Sequence, residues 1–308
     1  MSRYNRKILE KMLTYITLGE LCRDIRNNLW KIPQDVAGIV AVPRSGFIPA
    51  SIIAEFLNVG IAPLNNFLEA DDIATVFDNH GSRPLRKDDS YKKILVIDDT
   101  CFAGATMSKV KGEIQKKWGE DSGYEFIYLV AYLEGDCRFA EPDIYLRDVR
   151  DVAQISDLKI VIYEWNLLAH ASITERTFFD LDGVFCLDPP DERNTDAYES
   201  YIKNPTPLFI ANTYSNKKLN IVTYRLIKYK KQTEAFLKKQ GITATLRMFN
   251  SDSYEERSKT PPAVFKAEIY KNSNAILFVE SEDWQAKEIC RLSGKPVFCI
   301  GTNIMYNP

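Results

Sequence analysis

The chain has 308 residues, of which 45% are hydrophobic and 27% charged, a composition typical of globular rather than disordered proteins. This length exceeds one average domain and suits two. With 40 basic and 42 acidic residues the formal net charge is -2, so no overall charge would attract the protein to nucleic acid or to anionic lipid.

The six cysteines are scattered and form no C-x-x-C pair, which favours neither a disulfide framework nor a structural zinc site. There is no signal-peptide pattern and no apolar run of the roughly 18 residues that a membrane span needs. We therefore predict a cytoplasmic protein with reduced thiols and no membrane partner.

The first 170 residues alternate short apolar segments with helical patterns. Residues 6–30 carry apolar side chains at three-to-four spacing, which predicts one or two helices. The predicted strands are 38–42, 59–64, 92–97, 125–132 and 159–163, and the helices that follow are 48–57 and 106–118. This alternation predicts a mostly parallel sheet flanked by helices.

Two loops of this half have polar or basic residues. The first strand runs into Pro43-Arg44-Ser45-Gly46, which offers a guanidinium and backbone amides to an anion. A polar stretch without periodicity lies between Leu64 and Tyr91, and a loop of that length is usually functional or disordered.

The apolar run Lys93–Ile97 is followed by Asp98, Asp99 and a turn of small residues that opens a helix at Thr106. The turn lets a ligand approach the backbone, and its amides, the Thr106 hydroxyl and the helix N-terminus offer donors to a phosphate. Two carboxylates are suited instead to vicinal hydroxyls. Together these features predict a site for a 5-phosphorylated ribose.

This run resembles the signature of the type I phosphoribosyltransferases, which bind phosphoribosyl pyrophosphate (PRPP). The resemblance implies that Asp98 and Asp99 face the ribose hydroxyls. It implies a 5-phosphate loop of Phe102, Ala103, Gly104, Ala105 and Thr106, a pyrophosphate loop of Arg44, Ser45 and Gly46, and a lid with His80, Arg83, Arg86 and Lys87. These lid residues are equally well read as solvated surface groups. Phe102 and Ala103 depart from the signature, because many members have a hydroxyl residue at one or both positions.

A second alternating set begins near residue 171. Its predicted strands are 178–181, 220–223, 276–279 and 296–300, and its predicted helices are 232–240 and 284–292. We predict two Rossmann-like α/β domains, 1–170 and 171–308. Trp165 is interpreted as packing rather than as a platform for a base, and the aromatic and basic run 224–231 as a solvated helix face.

The first strand of this half ends in Asp180-Leu181-Asp182-Gly183, which places two carboxylates on the same side of an extended segment. The first is suited to attack phosphorus and the second to protonate the leaving oxygen. A magnesium ion would neutralise them and bind the phosphate.

The segment Phe179–Val184 resembles the first motif of the haloacid dehalogenase-like (HAD) phosphatases. The resemblance implies that Asp180 is the nucleophile and Asp182 the general acid/base. It implies that Thr223 binds the phosphate and that Lys266 is the lysine of the third motif, with Lys271 as the second candidate. The implied Mg²⁺ ligands are Asp180, Asp182, Glu280 and Glu282. Glutamates replace the usual aspartates of the last motif, and Asp283 is an alternative to Glu282. About forty residues separate Asp182 from Thr223, which predicts a capless fold with an open site.

We therefore predict a bifunctional enzyme of nucleotide metabolism, a glycosyltransferase and a hydrolase. It would transfer phosphoribose from PRPP to a base or small nucleophile and then dephosphorylate the resulting sugar phosphate to a nucleoside-like product. One alternative is a first half that senses PRPP or a nucleotide and regulates the phosphatase. Another is a polynucleotide-end or protein phosphatase in the second half. The sequence does not identify the acceptor. The resemblance to the phosphoribosyltransferases makes a homodimer a possible oligomeric state.

Overall fold

The computed structural model describes residues 13–78, 92–119, 122–151, 161–167, 171–190, 195–208 and 218–308. They divide into two compact units: the described residues from 14 to 165 form the first, and Leu13 with the described residues from 166 onward forms the second. Both units are α/β with mostly parallel sheets flanked by helices, as predicted. In these ranges no helix is long and apolar enough to cross a membrane.

Strands and helices alternate along the first unit. They are β1 (Thr14–Ile16), α1 (Leu18–Asn28), a 3₁₀ turn (Leu29–Lys31), β2 (Val36–Ala41), α2 (Phe47–Leu57), β3 (Gly60–Pro63), α3 (Leu64–Glu69), α4 (Ile73–Asp78), β4 (Lys93–Cys101), α5 (Ala105–Trp118), β5 (Glu125–Leu133), β6 (Ile144–Asp148) and β7 (Val161–Tyr163). Five of these strands form a parallel sheet in the order β3-β2-β4-β5-β6. Because β3 lies on one side of β2 and β4 on the other, the order reverses between β2 and β4.

Strand β4 shows why helices cover both faces of this sheet. Ile94 and Val96 pack into the core beneath α5, whereas Leu95 and Ile97 pack into the core beneath α2. Successive side chains of a strand point to opposite faces, so a continuous apolar run requires a cover on each side. The middle of β4 is therefore apolar, and its aspartates lie toward its carboxyl end, where open α/β sheets bind ligands.

Three parts of the sequence prediction for this unit were wrong. The stretch predicted as a loop between Leu64 and Tyr91 begins with helices α3 and α4. Residues 14–16 form a strand where a helix was predicted, and β7 pairs with that strand instead of extending the main sheet. Thr14, Tyr15 and Ile16 are β-branched or aromatic, which favours a strand, but three residues are too few to show a period. Edge strand β6 was not predicted because only its central residue, Leu146, is buried.

The second unit follows the same plan. Its elements are α6 (Ala171–Thr174), β8 (Thr177–Phe179), α7 (Thr195–Lys203), β9 (Leu219–Leu226), a 3₁₀ turn (Ile227–Tyr229), α8 (Lys230–Lys239), β10 (Ala244–Phe249), α9 (Tyr254–Ser258), α10 (Pro262–Lys271), β11 (Leu277–Glu280), α11 (Asp283–Ser293), β12 (Val297–Cys299) and β13 (Ile304–Tyr306). Among the described residues the sheet order is β10-β9-β8-β11-β12-β13; β12 and β13 pair antiparallel, and the other pairs are parallel. Strand β8 is therefore internal, and the residue after it lies in the middle of the carboxyl edge.

The interpretation of residues 224–231 as a solvated helix face was wrong. Residues through Leu226 belong to β9, and Arg225 is 1% exposed. Arginine is almost never fully buried unless it is paired, and the partner of Arg225, Asp182, is 43 positions away. Strand β10 and helix α10 were also missing from the prediction.

Candidate active sites

The loops after β2 and β4 touch at the point where the strand order of the first sheet reverses. Gly46 makes this contact possible: a Cβ at this position would lie 2.4 Å from the carbonyl oxygen of Val42, 2.7 Å from that of Ile97 and 3.0 Å from Cα of Asp98. Only a residue without a side chain fits there. The peptide bond between Pro43 and Arg44 is cis. The predicted pyrophosphate loop and the predicted ribose carboxylates thus lie side by side.

Strand β4 extends further than predicted and contains the two aspartates. Its pairing with β2 ends at Ile97, whereas its pairing with β5 continues to Cys101. The edge of β4 that faces β2 is consequently unpaired from Asp98 onward within this sheet. Burial, together with the negative charge of Asp99, raises the pKa of Asp98 to about 7, and the amide of Asp99 donates to Oδ1 of Asp98 at 2.9 Å.

The predicted 5-phosphate loop is held by the segment after β5. The amides of Cys137 and Phe139 donate to the carbonyls of Phe102 and Ala103 at 2.9 and 3.0 Å. Gly104 has a φ of 76°, and a Cβ there would lie 2.1 Å from the carbonyl oxygen of Ala140. The turn therefore requires glycine for its conformation and for its packing. Helix α5 begins directly after it, with its first amides at the end of the turn.

The other predicted residues of this unit differ in exposure. Arg44 and Thr106 are exposed, and Ser45 is half-buried. The Phe102 side chain is 56% exposed, so the departure from the signature places a ring in solvent where a hydroxyl is common. His80, Arg83, Arg86 and Lys87 lie outside the described residues.

Two residues that sequence reasoning did not assign to this site lie beside the aspartates. Trp165 packs against Tyr163, as predicted, and in addition its indole nitrogen donates to Oδ2 of Asp99 at 2.8 Å. Burial raises the pKa of Glu134 to about 7, and the charge of Asp99 adds to the shift. Glu134 directly follows β5, and this position at the carboxyl end of a strand is the sequence feature that could have indicated its place in the site.

In the second unit, Asp180 and Lys266 form a buried ion pair. The Nζ atom of Lys266 donates to Oδ2 of Asp180 at 2.7 Å, to Oε2 of Glu280 at 2.8 Å and to Oε1 of Gln285 at 3.0 Å. Burial raises the pKa of Asp180 well above its ordinary value; the ammonium of Lys266 opposes this shift and the charge of Glu280 adds to it. One ammonium thus faces two buried carboxylates.

Asp182 is held by a buried arginine. Arg225 donates from Nε to Oδ2 of Asp182 at 3.0 Å and from Nη2 to Oδ1 at 2.5 Å. The hydroxyl of Tyr201 donates to the same Oδ1 at 2.7 Å. Burial raises the pKa of Asp182, but the charge and hydrogen bonds of Arg225 outweigh burial and hold that pKa below its ordinary value. Both oxygens of this carboxylate therefore accept hydrogen bonds in its ionised form.

The predicted magnesium ligands do not meet at one point. No group of three or more His, Cys, Asp or Glu side chains among the described residues is arranged to hold a metal ion. Asp180 and Glu280 face Lys266, Asp182 faces Arg225, and Glu282 is exposed at the start of α11. Among the described residues these side chains do not converge on one ion, and magnesium binding stays a prediction from the sequence.

A cleft of about 150 Å³ opens over this edge of the sheet. Its lining residues are Asp180, Asp182, Asp188, Pro189, Tyr198, Tyr224, Arg225, Arg257, Pro262, Lys266, Ser281, Glu282 and Gln285. Thr223 is fully buried and is not among them, although Tyr224 and Arg225, the next two residues of β9, are. Asp283 is engaged by Lys287 at 2.6 Å and by the hydroxyl of Tyr306, whereas Glu282 faces the cleft. Lys271 is at the end of α10, one turn beyond Lys266.

No protein-family model matches the chain, and no curated protein matches its sequence. Similar solved structures include a purine phosphoribosyltransferase from Pyrococcus horikoshii Ot3, with 17% identity, 49% of this chain and 92% of that chain covered, and a TM-score of 0.33. The Helicobacter pylori xanthine-guanine-hypoxanthine phosphoribosyltransferase is 15% identical over 52% of this chain and 99% of that chain, with a TM-score of 0.34. A chain of a Pnkp1/Rnl/Hen1 complex is 14% identical over 96% of this chain and 90% of that chain, with a TM-score of 0.32.

Proposed function

We propose that the chain is a bifunctional enzyme that transfers phosphoribose from PRPP in its first unit and hydrolyses phosphomonoesters in its second. The observation that carries the first activity is the contact of Gly46 with the backbone of Asp98. A ligand at this edge would meet the Arg44 loop, the carboxylate pair and the turn before α5 together. These three features suit the pyrophosphate, the ribose hydroxyls and the 5-phosphate of PRPP.

In the transferase reaction an acceptor nucleophile attacks C1 of the ribose, and the bond from C1 to the pyrophosphate oxygen breaks. Arg44 and the amides of Ser45 and Gly46 would stabilise the charge that develops on pyrophosphate. Asp98 and Asp99 would accept hydrogen bonds from the ribose hydroxyls and so hold C1 in place. The turn before α5 would bind the 5-phosphate.

In the phosphatase reaction Asp180, ionised beside the ammonium of Lys266, attacks phosphorus; the bond to the leaving oxygen breaks to give a phosphoaspartate, and the leaving oxygen takes a proton from solvent water. Lys266, within hydrogen-bond distance of Asp180, would neutralise the incoming phosphoryl charge. Water would then attack phosphorus, the bond from Asp180 to phosphorus would break to release inorganic phosphate, and Asp182 would accept a proton from that water. The contacts of Arg225 with Asp182 favour this base role over protonation of the leaving group.

The two reactions are proposed to run in sequence. The 5-phosphorylated product of the transfer would be a substrate for the phosphatase, and its hydrolysis would draw a reversible transfer forward. This coupling rests on the presence of both units in one chain.

Pyrophosphate release from PRPP over a panel of bases and small amines tests the proposal, with wild type, Asp99→Asn and Asp180→Asn compared. We expect release with one acceptor, loss of release in Asp99→Asn, and accumulation of a phosphorylated product in Asp180→Asn alone. Asp136→Asn is the matched control, because Asp136 is an exposed carboxylate paired with Arg138. A final product that keeps its phosphate in wild type would contradict the coupling.

A second candidate for the first unit is a PRPP or nucleotide sensor. The exposed ring of Phe102 favours it, because the loop from Phe102 to Ala105 then has no side-chain hydroxyl for the 5-phosphate. Tight PRPP binding without pyrophosphate release with any acceptor would support the sensor and exclude the transferase.

A further inference from the structure

Arg257 lies in the cleft over Asp180 and belongs to none of the motifs identified in the sequence. It is part of the short helix α9, and only 5% of it is exposed, yet it lines the cleft together with Asp180 and Lys266. An arginine that is buried to this extent and still borders a cleft is oriented by its surroundings rather than by solvent.

Aromatic rings and the backbone hold the guanidinium of Arg257. It lies 4.7 Å from the ring centroid of Tyr224 and 5.1 Å from that of Tyr254, both within cation–π range. Its Nη1 donates to the carbonyl of Tyr224 at 3.0 Å, and the hydroxyl of Tyr224 is within donating distance of the carbonyls of Arg257, at 2.6 Å, and Thr260. Since Tyr224 is in β9, these contacts fix Arg257 relative to the sheet edge that carries the cleft.

The charges of the cleft indicate what Arg257 does there. Three carboxylates, those of Asp180, Asp182 and Glu280, lie at this edge beside two cations, Lys266 and Arg225. A phosphate dianion entering among these carboxylates needs further positive charge nearby. The guanidinium of arginine stays protonated in proteins and matches two phosphate oxygens at once.

We propose that Arg257 binds the phosphoryl group of the substrate in the Asp180 cleft. This inference rests on the phosphatase activity proposed above. A phosphomonoester has three terminal oxygens, so a guanidinium can take two of them and leave one for Lys266, whereas a diester has only two. A role of Arg257 in binding two oxygens therefore suits the phosphomonoesters proposed above, and not diesters, as substrates of the second unit.

Hydrolysis of p-nitrophenyl phosphate, with inorganic phosphate as competitive inhibitor, tests this role. We expect Arg257→Gln to raise KM and to weaken phosphate inhibition, each about tenfold or more, with a smaller change in kcat. Arg257→Lys keeps the positive charge but cannot bind two phosphate oxygens at once. Its KM and its inhibition by phosphate should therefore lie between those of Arg257→Gln and wild type. A purely structural role would lower kcat and the melting temperature without changing phosphate inhibition.

Arg247→Gln is the matched control. Arg247 also lies over an aromatic ring, 4.7 Å from the centroid of Phe178, and donates to Asn220, but it does not line the Asp180 cleft. Its substitution should leave KM and phosphate inhibition unchanged. If Arg257→Gln does not fold, Arg257→Lys decides alone: phosphate inhibition equal to wild type overturns the proposal.

Two results separate this inference from the proposed phosphatase activity. A wild-type protein that hydrolyses p-nitrophenyl phosphate, with both Arg257 variants inhibited by phosphate like wild type, overturns the role of Arg257 alone. A wild type that neither hydrolyses this ester nor binds inorganic phosphate in calorimetry overturns both. Hydrolysis of bis(p-nitrophenyl) phosphate at the rate of the monoester overturns the assigned substrate class.

Discussion

The indole nitrogen of Trp165 donates a hydrogen bond of 2.8 Å to Oδ2 of Asp99. The ring of Trp165 packs on Tyr163, with centroids 4.9 Å apart, and stacks near Tyr132 at 6.2 Å. This aromatic cluster limits the rotation of Trp165 and so fixes the orientation of one carboxylate oxygen before a ligand binds. Such support of a binding group by a packed neighbour is what precise recognition requires.

Trp165→Phe keeps an aromatic ring in the cluster and removes the donor to Asp99. A hydrogen bond to a charged group contributes about 1.5 kcal/mol, so we expect the affinity for PRPP to fall roughly tenfold. Isothermal titration calorimetry measures this change. The control is Trp118→Phe, because the indole nitrogen of Trp118 is buried and has no hydrogen-bond partner among the described residues. Equal losses in both variants would show that ring size, and not the donor, matters.

Gly104→Ala should destabilise the first unit and remove PRPP binding. The substitution forces an L side chain into a left-handed conformation and against the carbonyl of Ala140, and we expect a loss of about 2–4 kcal/mol in the free energy of unfolding. Urea denaturation measures it. Gly112→Ala in the same helix region is the control, since a Cβ at Gly112 meets nothing within 4 Å; it should stabilise by about 0.5–1 kcal/mol. Similar effects of the two substitutions would refute the steric argument.

The main parallel strands were predictable because their apolar runs are buried on both faces. Strand β5 was predicted to within one residue at its end, and β4 was predicted in its apolar part but not in its polar extension to Cys101. Strand β1 was missed because its partner among the described residues, β7, is about 150 positions away, and no local sequence pattern indicates such a pairing.

The candidate sites were predictable only where residues lie in a recognisable motif. Asp180 and Lys266 are 86 positions apart, and the resemblance to the HAD phosphatases suggested both. Arg225 and Trp165 belong to no recognisable motif. The role of each is shown by a hydrogen bond to a distant residue: Asp182 is 43 positions from Arg225, and Asp99 is 66 positions from Trp165. An arginine in a basic, aromatic run resembles a surface residue until the carboxylate that neutralises it is located.

The stability of the first unit should fall as pH rises through neutrality. The pKa of Asp98 is raised to about 7 in the fold and is about 3.9 in an unfolded chain, so the folded state holds the proton more tightly. The stability that this proton contributes is complete below about pH 4 and is lost as pH rises through 7. Asp98→Asn should therefore be more stable than wild type at pH 8, and the difference should shrink at pH 5.

Urea denaturation at both pH values measures this difference. Burial also raises the pKa of Glu134 to about 7, so Glu134 should cause part of the pH dependence of stability that remains in Asp98→Asn. The stability of the double variant Asp98→Asn with Glu134→Gln should therefore change less with pH than that of either single variant. Asp136→Asn, in an exposed pair, should keep the wild-type slope. A wild type equally stable at pH 5 and pH 8, and shifted alike by Asp98→Asn at both, would contradict the raised pKa.

Arg225→Met should destabilise the second unit strongly, because it leaves the carboxylate of Asp182 without its counter-charge. The Arg225 side chain is 1% exposed, and breaking a buried pair of this kind costs about 3–5 kcal/mol. Arg291→Met is the control: the pair of Arg291 with Glu288 is on the surface, and such pairs contribute about 0–1 kcal/mol. The double variant Arg225→Met with Asp182→Asn removes both charges and should recover part of the loss in urea denaturation. If the double variant is no more stable than Arg225→Met, the loss comes from packing, and the pair does not hold Asp182 through its charge.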